Sequence, residues 1–131
     1  MLLQSNRMSY GLPRYSFQRS ICITIRSTWH ESQGGVTGIL VQGSNGEAQH
    51  LSHDERKEAI ATTRRTLDEN GFKDVVVIAG TGGQSTRETK KLCTDAREAG
   101  AAYALVLTPS TWPPQMTKPN IIRFHREVGL V

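Results

Sequence analysis

Three short, almost wholly apolar runs punctuate the chain after Gly35, and each is followed by a glycine-bearing loop and then by apolar residues at helical spacing. The first run, Val36-Thr37-Gly38-Ile39-Leu40-Val41, has the unbroken character of a strand buried on both faces, as in parallel sheets covered by helices. Downstream, Ser52 with Glu55 three residues later forms a capping box, in which each side chain satisfies an orphan N–H at a helix start. The spacing predicts a helix running to Asp68, with Ile60, Thr63 and Leu67 toward the core. Asn70-Gly71 supplies its left-handed exit.

The second run, Val75-Val76-Val77-Ile78-Ala79, is strongly β-branched. Gly80-Thr81-Gly82-Gly83-Gln84 turns the chain, Ser85 and Glu88 repeat the capping pattern, and Leu92, Ala96 and Ala99 stripe a helix closed by Gly100. The third strand is expected over Ala102-Tyr103-Ala104-Leu105-Val106-Leu107. The loop Thr108–Met116 leads to a helix with Pro119 in its first turn and Ile121, Ile122, His125 and Val128 inward. Buried strands alternating with capped helices mean a parallel α/β sheet with right-handed crossovers. The pattern does not separate an open sheet from part of a (β/α)8 barrel. In both, ligands meet the loops after the strand C-termini, so the loops at Gly43–Glu47, Gly80–Gln84 and Thr108–Met116 should share one face.

Composition divides the chain at about residue 34. Of the net charge of +4, all comes from Arg7, Arg14, Arg19 and Arg26 in the first 30 residues, which hold no acid. The remaining 101 residues carry 12 basic and 12 acidic side chains, so no clustered cationic face for nucleic acid is expected. Residues 1–34 read as a leader, with one alternating stretch at Ile21–Ile25. Residues 1–30, Arg- and Ser-rich and free of Asp and Glu, have the composition of a mitochondrial transit peptide, an alternative to a cytoplasmic protein. Residues 35–131 form the expected α/β domain. Cys22 and Cys93 lack any disulfide or zinc spacing, and no apolar run approaches membrane-spanning length.

Gly43-Ser44-Asn45-Gly46-Glu47 carries the most chemistry. Its glycines let the backbone approach a ligand, while Ser44 and Asn45 offer short donors beside backbone N–H groups, an arrangement suited to a small anion such as a carboxylate. A simple strand-exit turn accounts for the same letters. Neither GxxxxGK[ST] nor GxGxxG is present, which argues against a nucleotide site. The glycines at 80–83 fit close strand-to-helix packing better than anion binding. His50, His53 and Asp54 do not make a metal set. His125 reads as a satisfied, half-buried histidine, Cys93 as a small core residue and Trp112 as a loop packing residue.

Read together, these segments resemble the dihydrodipicolinate synthase/N-acetylneuraminate lyase family of aldolases. Gly43–Glu47 followed by Leu51-Ser52-His53-Asp54-Glu55-Arg56 is similar to its GTTGE…LSxEER signature. Val77–Gly82 with Ser85-Thr86 resembles VIAGTGxxST, and Gly100-Ala101 through Leu105-Val106-Leu107-Thr108-Pro109 resembles GAD-A-LVVTP. The set falls in family order over about residues 35–128. The resemblance implies part of a (β/α)8 TIM barrel, three to four βα units, and a lyase that forms an imine between a lysine and a 2-oxo acid such as pyruvate, with no cofactor. Asn45 and its N–H, with Gly43 and Gly46, would hold the substrate carboxylate, and Ser44 would supply the proton-relay hydroxyl.

Two departures bear on activity. Thr111 stands where the family carries a relay tyrosine, and its hydroxyl is shorter and far less acidic. The second relay tyrosine and the imine-forming lysine lie on later strands of the family's barrel. Lys57, Lys73, Lys90, Lys91 and Lys118 all fall on polar helix faces or element edges, none inside an apolar strand, whereas an imine lysine needs a desolvated site. The expectation is therefore a truncated, catalytically incomplete lyase chain. The alternative is a non-catalytic 2-oxo acid binding or oligomerisation module, associating with itself or with a full-length relative through open sheet edges.

Overall fold

The computed structural model describes residues 33–46 and 48–131; residues 1–32 of the expected leader, with the alternating stretch at 21–25, fall outside them. Three parallel strands, β1 (Gly38–Val41), β2 (Val76–Gly80) and β3 (Tyr103–Leu105), stand in the order β1-β2-β3. Leu40 pairs with Ile78, and Ile78 with Tyr103, so these three side chains share one face of the sheet. The crossovers are α1 (His53–Glu69) and α2 (Thr86–Glu98), and α3 (Lys118–Val128) follows β3. Among the described residues, no helix is long and apolar enough to cross a membrane.

The core lies between the sheet and α1 and α2. Ile39 and Val41 of β1 and Val77 and Ala79 of β2 meet Ala59, Ile60 and Leu67 of α1 and Ala96 of α2. Side chains as enclosed as Ile60 and Leu67 contribute roughly 1.5–3 kcal/mol each. Thr63, in the same stripe, keeps its hydroxyl satisfied on the Ala59 carbonyl at 2.8 Å. Arg64 donates to the Val75 carbonyl at 2.7 Å and pairs with Asp68 at 2.9 Å, fixing the end of α1 to the entry of β2.

The capping expectations hold in part. At Ser52 both halves of the box form. At Ser85 the side chain accepts from the Glu88 N–H, but the Glu88 carboxylate turns to His53 Nε2 at 2.6 Å. That trade exchanges a local bond for a tie between α1 and α2. The phase of α3 differs from the expected one. Phe124 and Val128 are buried with Ile121 half-buried, whereas Ile122 is 52% exposed and His125 is exposed. Positions 121, 124 and 128 make the i, i+3, i+7 stripe, which leaves 122 and 125 off its face. Trp112, expected to pack, is 65% exposed.

The third strand is shorter than its apolar run, and its exposure is the main departure from a buried-strand reading. Tyr103 and Leu105 on the open face are 63% and 39% exposed. The helices cover only the other side of the sheet.

Candidate functional site

The site is built where the three strands end. Gln42, the residue after β1, is buried and has φ +62, the one non-glycine in the left-handed region among the described residues. That conformation costs an L-residue about 1–2 kcal/mol, and it turns the chain sharply out of the sheet. Gly80 at the end of β2 lies against this turn. A Cβ there would sit 2.0 Å from the Gln42 carbonyl oxygen, so only glycine fits.

Beyond Gln42 the loop is two short 3-10 turns, Ser44–Gly46 and Ala48–His50. The Gly46 N–H donates to the Gly43 carbonyl at 2.8 Å, and Leu51 N–H to the Ala48 carbonyl at 3.2 Å. The buried Leu51 side chain anchors the far end. Two side chains fasten the loop to α1. Gln42 Nε2 donates to the Arg56 carbonyl at 2.7 Å, and Arg56 donates to the Ala48 carbonyl through Nε at 3.0 Å and Nη2 at 2.7 Å. Burial pulls the pKa of this buried guanidinium down, and the Glu88 carboxylate partly opposes that.

Together the strand ends line a cavity of about 300 Å³, bounded by Gln42, Gly43, Ser44 and His50 of the first loop, Gly80 at the end of β2 and Gly82 after it, and Leu105 at the end of β3 and Leu107 after it. The first two strand-exit loops and the end of β3 therefore share one mouth, as expected. The third loop is tied to the second by Gln84 Oε1, which accepts from the Ser110 and Thr111 N–H groups at 3.0 Å each. Thr111 itself is exposed and does not line the cavity. His125 is satisfied by the Thr108 hydroxyl at 3.2 Å, although it is exposed rather than half-buried.

The packing reading of the second loop is also visible. The Gly83 N–H is taken by the Thr89 hydroxyl at 3.1 Å, and a Cβ on Gly83 would press on Glu88 at 2.9 Å. Cys93 is half-buried with its thiol 3.3 Å from Thr81 Oγ1. No lysine is buried, and none lines the 300 Å³ cavity. The hydrogen bond from Lys57 to Glu98 raises the pKa of that lysine, opposite to the shift an imine-forming amine needs. No cluster of potential metal ligands occurs among the described residues.

Sequence reasoning did not single out Gln42 or Arg56. For Gln42 the available signal was a polar residue closing a buried run directly before a glycine. For Arg56 it was membership of the same helical stripe as Ile60, Thr63 and Leu67.

Comparison with known proteins places these features in a family. A model of the dihydrodipicolinate synthetase family matches residues 26–128, beginning upstream of the motif resemblance at residue 35. An Emericella nidulans protein named "Probable 4-hydroxy-2-oxoglutarate aldolase, mitochondrial" is 46% identical over 98 residues, 75% of this chain and 32% of the relative. The L-threo-3-deoxy-hexylosonate aldolase of Aspergillus niger is 51% identical over 79 residues, 60% of this chain and 24% of the relative. The pyruvate complex of dihydrodipicolinate synthase from Acinetobacter baumannii superposes with a TM-score of 0.71 at 30% identity, over 86% of this chain and 35% of that one. The chain thus spans about a third or less of the length of the relatives it matches. Its parallel strands, its crossover helices and the loop at the mouth of β1 agree with one assignment: the chain belongs to the dihydrodipicolinate synthetase family, and its βα units are part of a (β/α)8 barrel.

Proposed function

We propose that this chain serves carbon–carbon lyase chemistry on 2-oxo acids, and that its Gly43–Glu47 loop receives the carboxylate of a small 2-oxo acid such as pyruvate. The observation that carries the reading is the cavity of about 300 Å³ at the strand ends, where Ser44 stands beside Gly43 and Gly80 against apolar Leu40 and Leu105. A small, mostly apolar pocket with a few polar groups suits a short oxo acid, with one polar end and one apolar methyl. Both relatives named above are called aldolases, and the Acinetobacter structure holds pyruvate. Asn45 with its N–H, helped by Gly43 and Gly46, takes the carboxylate, and the Ser44 hydroxyl passes a proton. Thr111 marks the relay-tyrosine position but stands outside the cavity.

None of the five lysines has a desolvated environment beside the cavity. On this reading the 131-residue chain binds 2-oxo acids without forming an imine by itself. The test has two arms. Pyruvate titration followed by amide chemical shifts should move signals of residues 43–46, and a spectrum unchanged at saturating pyruvate overturns the cradle. Borohydride trapping should give no pyruvyl adduct by mass spectrometry, and a covalent adduct overturns the inactivity.

A second reading, a binding or assembly module, is favoured by the open sheet face, where Leu40 and Tyr103 are 47% and 63% exposed. Light scattering across a concentration series distinguishes it, since a strict monomer at every concentration counts against association. We also place residues 1–34 as a leader to the α/β domain. The acid-free, Arg-rich composition of residues 1–30 and the mitochondrial name of the Emericella relative favour a mitochondrial over a cytoplasmic protein. A fluorescent fusion carrying residues 1–34 tests this, and diffuse cytosolic signal would overturn it.

A further inference from the structure

The loop that lines the cavity is held from outside the cavity, and one residue of α1 holds both of its ends. Arg56 is 8% exposed and sits in the first turn after the Ser52 cap. Its carbonyl accepts from Gln42 Nε2 at the start of the loop, and its guanidinium donates twice to the carbonyl of Ala48 beyond the first 3-10 turn. In sequence, residues 43–47 lie between these two anchors, Gly43, Ser44, Asn45 and Gly46 of the proposed cradle among them.

We propose that Gln42 and Arg56 are positioning residues for the carboxylate cradle: a staple that fixes the path of residues 43–46 by gripping the loop on either side of them. The inference rests on the reading of that loop as the 2-oxo acid site.

Three physical features favour a dedicated device over ordinary packing. The left-handed backbone of Gln42 is unfavourable for a residue with a Cβ, and such strain persists where the surroundings over-determine it. Here the surroundings are the Arg56 carbonyl on one side and the backbone of Gly80 on the other. Glycine would relieve the strain but would remove the amide that reaches Arg56. Secondly, the doubled donation from Nε and Nη2 to one carbonyl uses the planar fork of arginine, which a lysine ammonium cannot reproduce. Thirdly, a charge-assisted hydrogen bond in a buried site is stronger than one in water. The Gln42 amide is spent on the Arg56 carbonyl and Arg56 does not line the cavity, so each acts through the loop.

The test separates positioning from fold stability and from the ligand reading. Gln42→Asn keeps a residue that tolerates the left-handed region but shortens the amide so that it no longer reaches the Arg56 carbonyl. Arg56→Lys keeps the charge and the stem but not the fork. In the full chain, amide hydrogen exchange at Gly46 and Leu51, whose N–H groups close the two 3-10 turns, reports the loop. Interior amides of α1 report the fold. Both variants should raise exchange at Gly46 and Leu51 about tenfold or more while leaving the α1 amides and the thermal midpoint close to wild type, and should weaken pyruvate binding severalfold. Ser44→Ala should weaken pyruvate without raising exchange. Unchanged exchange at Gly46 and Leu51 in both variants overturns the staple, as does a rise matched by the α1 amides. A wild-type chain that binds no pyruvate overturns the cradle reading, while the exchange measurement still decides whether the loop is stapled. If Arg56→Lys loses its helical circular dichroism, Gln42→Asn alone decides.

Discussion

Gly80 shows how a single missing side chain can shape the mouth of the barrel. A Cβ there would lie 2.0 Å from the Gln42 oxygen and 2.7 Å from its carbonyl carbon, distances no packed structure accepts. Because the obstacle is backbone rather than the tip of a flexible side chain, relief requires β1 and β2 to part or the turn at Gln42 to unwind. Gly80→Ala should therefore cost about 3 kcal/mol or more, at the upper end for overpacking. Gly46→Ala is the control, since a Cβ at Gly46 meets nothing within 4 Å, and it should shift stability by about 0.5 kcal/mol or less. Urea unfolding midpoints of the two variants check this, and similar midpoints would refute it. The glycines at 80–83 were legible as close packing, and for Gly83 against Glu88 and Thr89 that is what the structure holds. The partner of Gly80 was not legible, because it is a carbonyl on another strand exit and depends on the register of β1 on β2. The same holds for Gln42 and Arg56. Their letters are plain in the sequence, but which carbonyl each reaches is a tertiary fact.

Between elements, the contact of α1 with α2 is carried by charge as much as by apolar packing. Asp95 on α2 is buried, with Lys91 at 2.6 Å, His53 Nδ1 at 3.6 Å and Lys57 at 3.8 Å. Burial alone would raise the pKa of its carboxyl. The hydrogen bond and field of Lys91, with the fields of Lys57 and His53, outweigh it and hold the pKa below the ordinary 3.8. A folded-state pKa below the unfolded one means stabilisation that is full above the ordinary value and lost as pH falls through the folded value. Asp95→Asn should thus destabilise by about 1 kcal/mol near pH 7, a modest figure because Lys91 and Lys57 are substantially exposed and screened. The difference should shrink as pH falls below the ordinary carboxylate range and through the folded-state value of Asp95. A gap in urea midpoints that persists undiminished at the acid end would defeat the assignment. Helix starts were the most legible features of the chain, since a cap and its partner lie three residues apart. The box at Ser52 closes for that reason, while the one at Ser85 loses its glutamate to His53, 35 residues away. The stripe of α3 was misphased because Phe124 had been left out of it, although Ile121, Phe124 and Val128 satisfy the spacing better than the set containing Ile122 and His125.

At the scale of the whole molecule, the described residues form a two-layer arrangement in which helices protect one face of the sheet and nothing covers the other. A (β/α)8 barrel fills that inner face with side chains from all eight strands, and the described residues supply three. Leu40, Tyr103, Leu105 and Leu107 stand 47%, 63%, 39% and 56% exposed as a result. Together these four leave on the order of 400 Å² open, comparable with the largest apolar patch a typical monomer carries. That area decides what kind of association to expect. A specific, lasting interface takes about 800 Å² from each partner, so the open face alone supports weak, concentration-dependent self-association rather than a stable dimer. Sedimentation velocity should show a weight-average mass that rises with concentration, and the protein should enhance the fluorescence of an apolar dye such as ANS. Tyr103→Thr with Leu105→Thr introduces β-branched strand formers while removing the largest exposed side chains of β3, and Ser44 lies outside the change. This double variant should flatten the concentration dependence and lower the dye signal while the helical circular dichroism is retained. Dye binding and association unchanged in the double variant would mean that another surface drives them, and a constant mass across the whole concentration range in the wild-type chain would show that the open face is already protected.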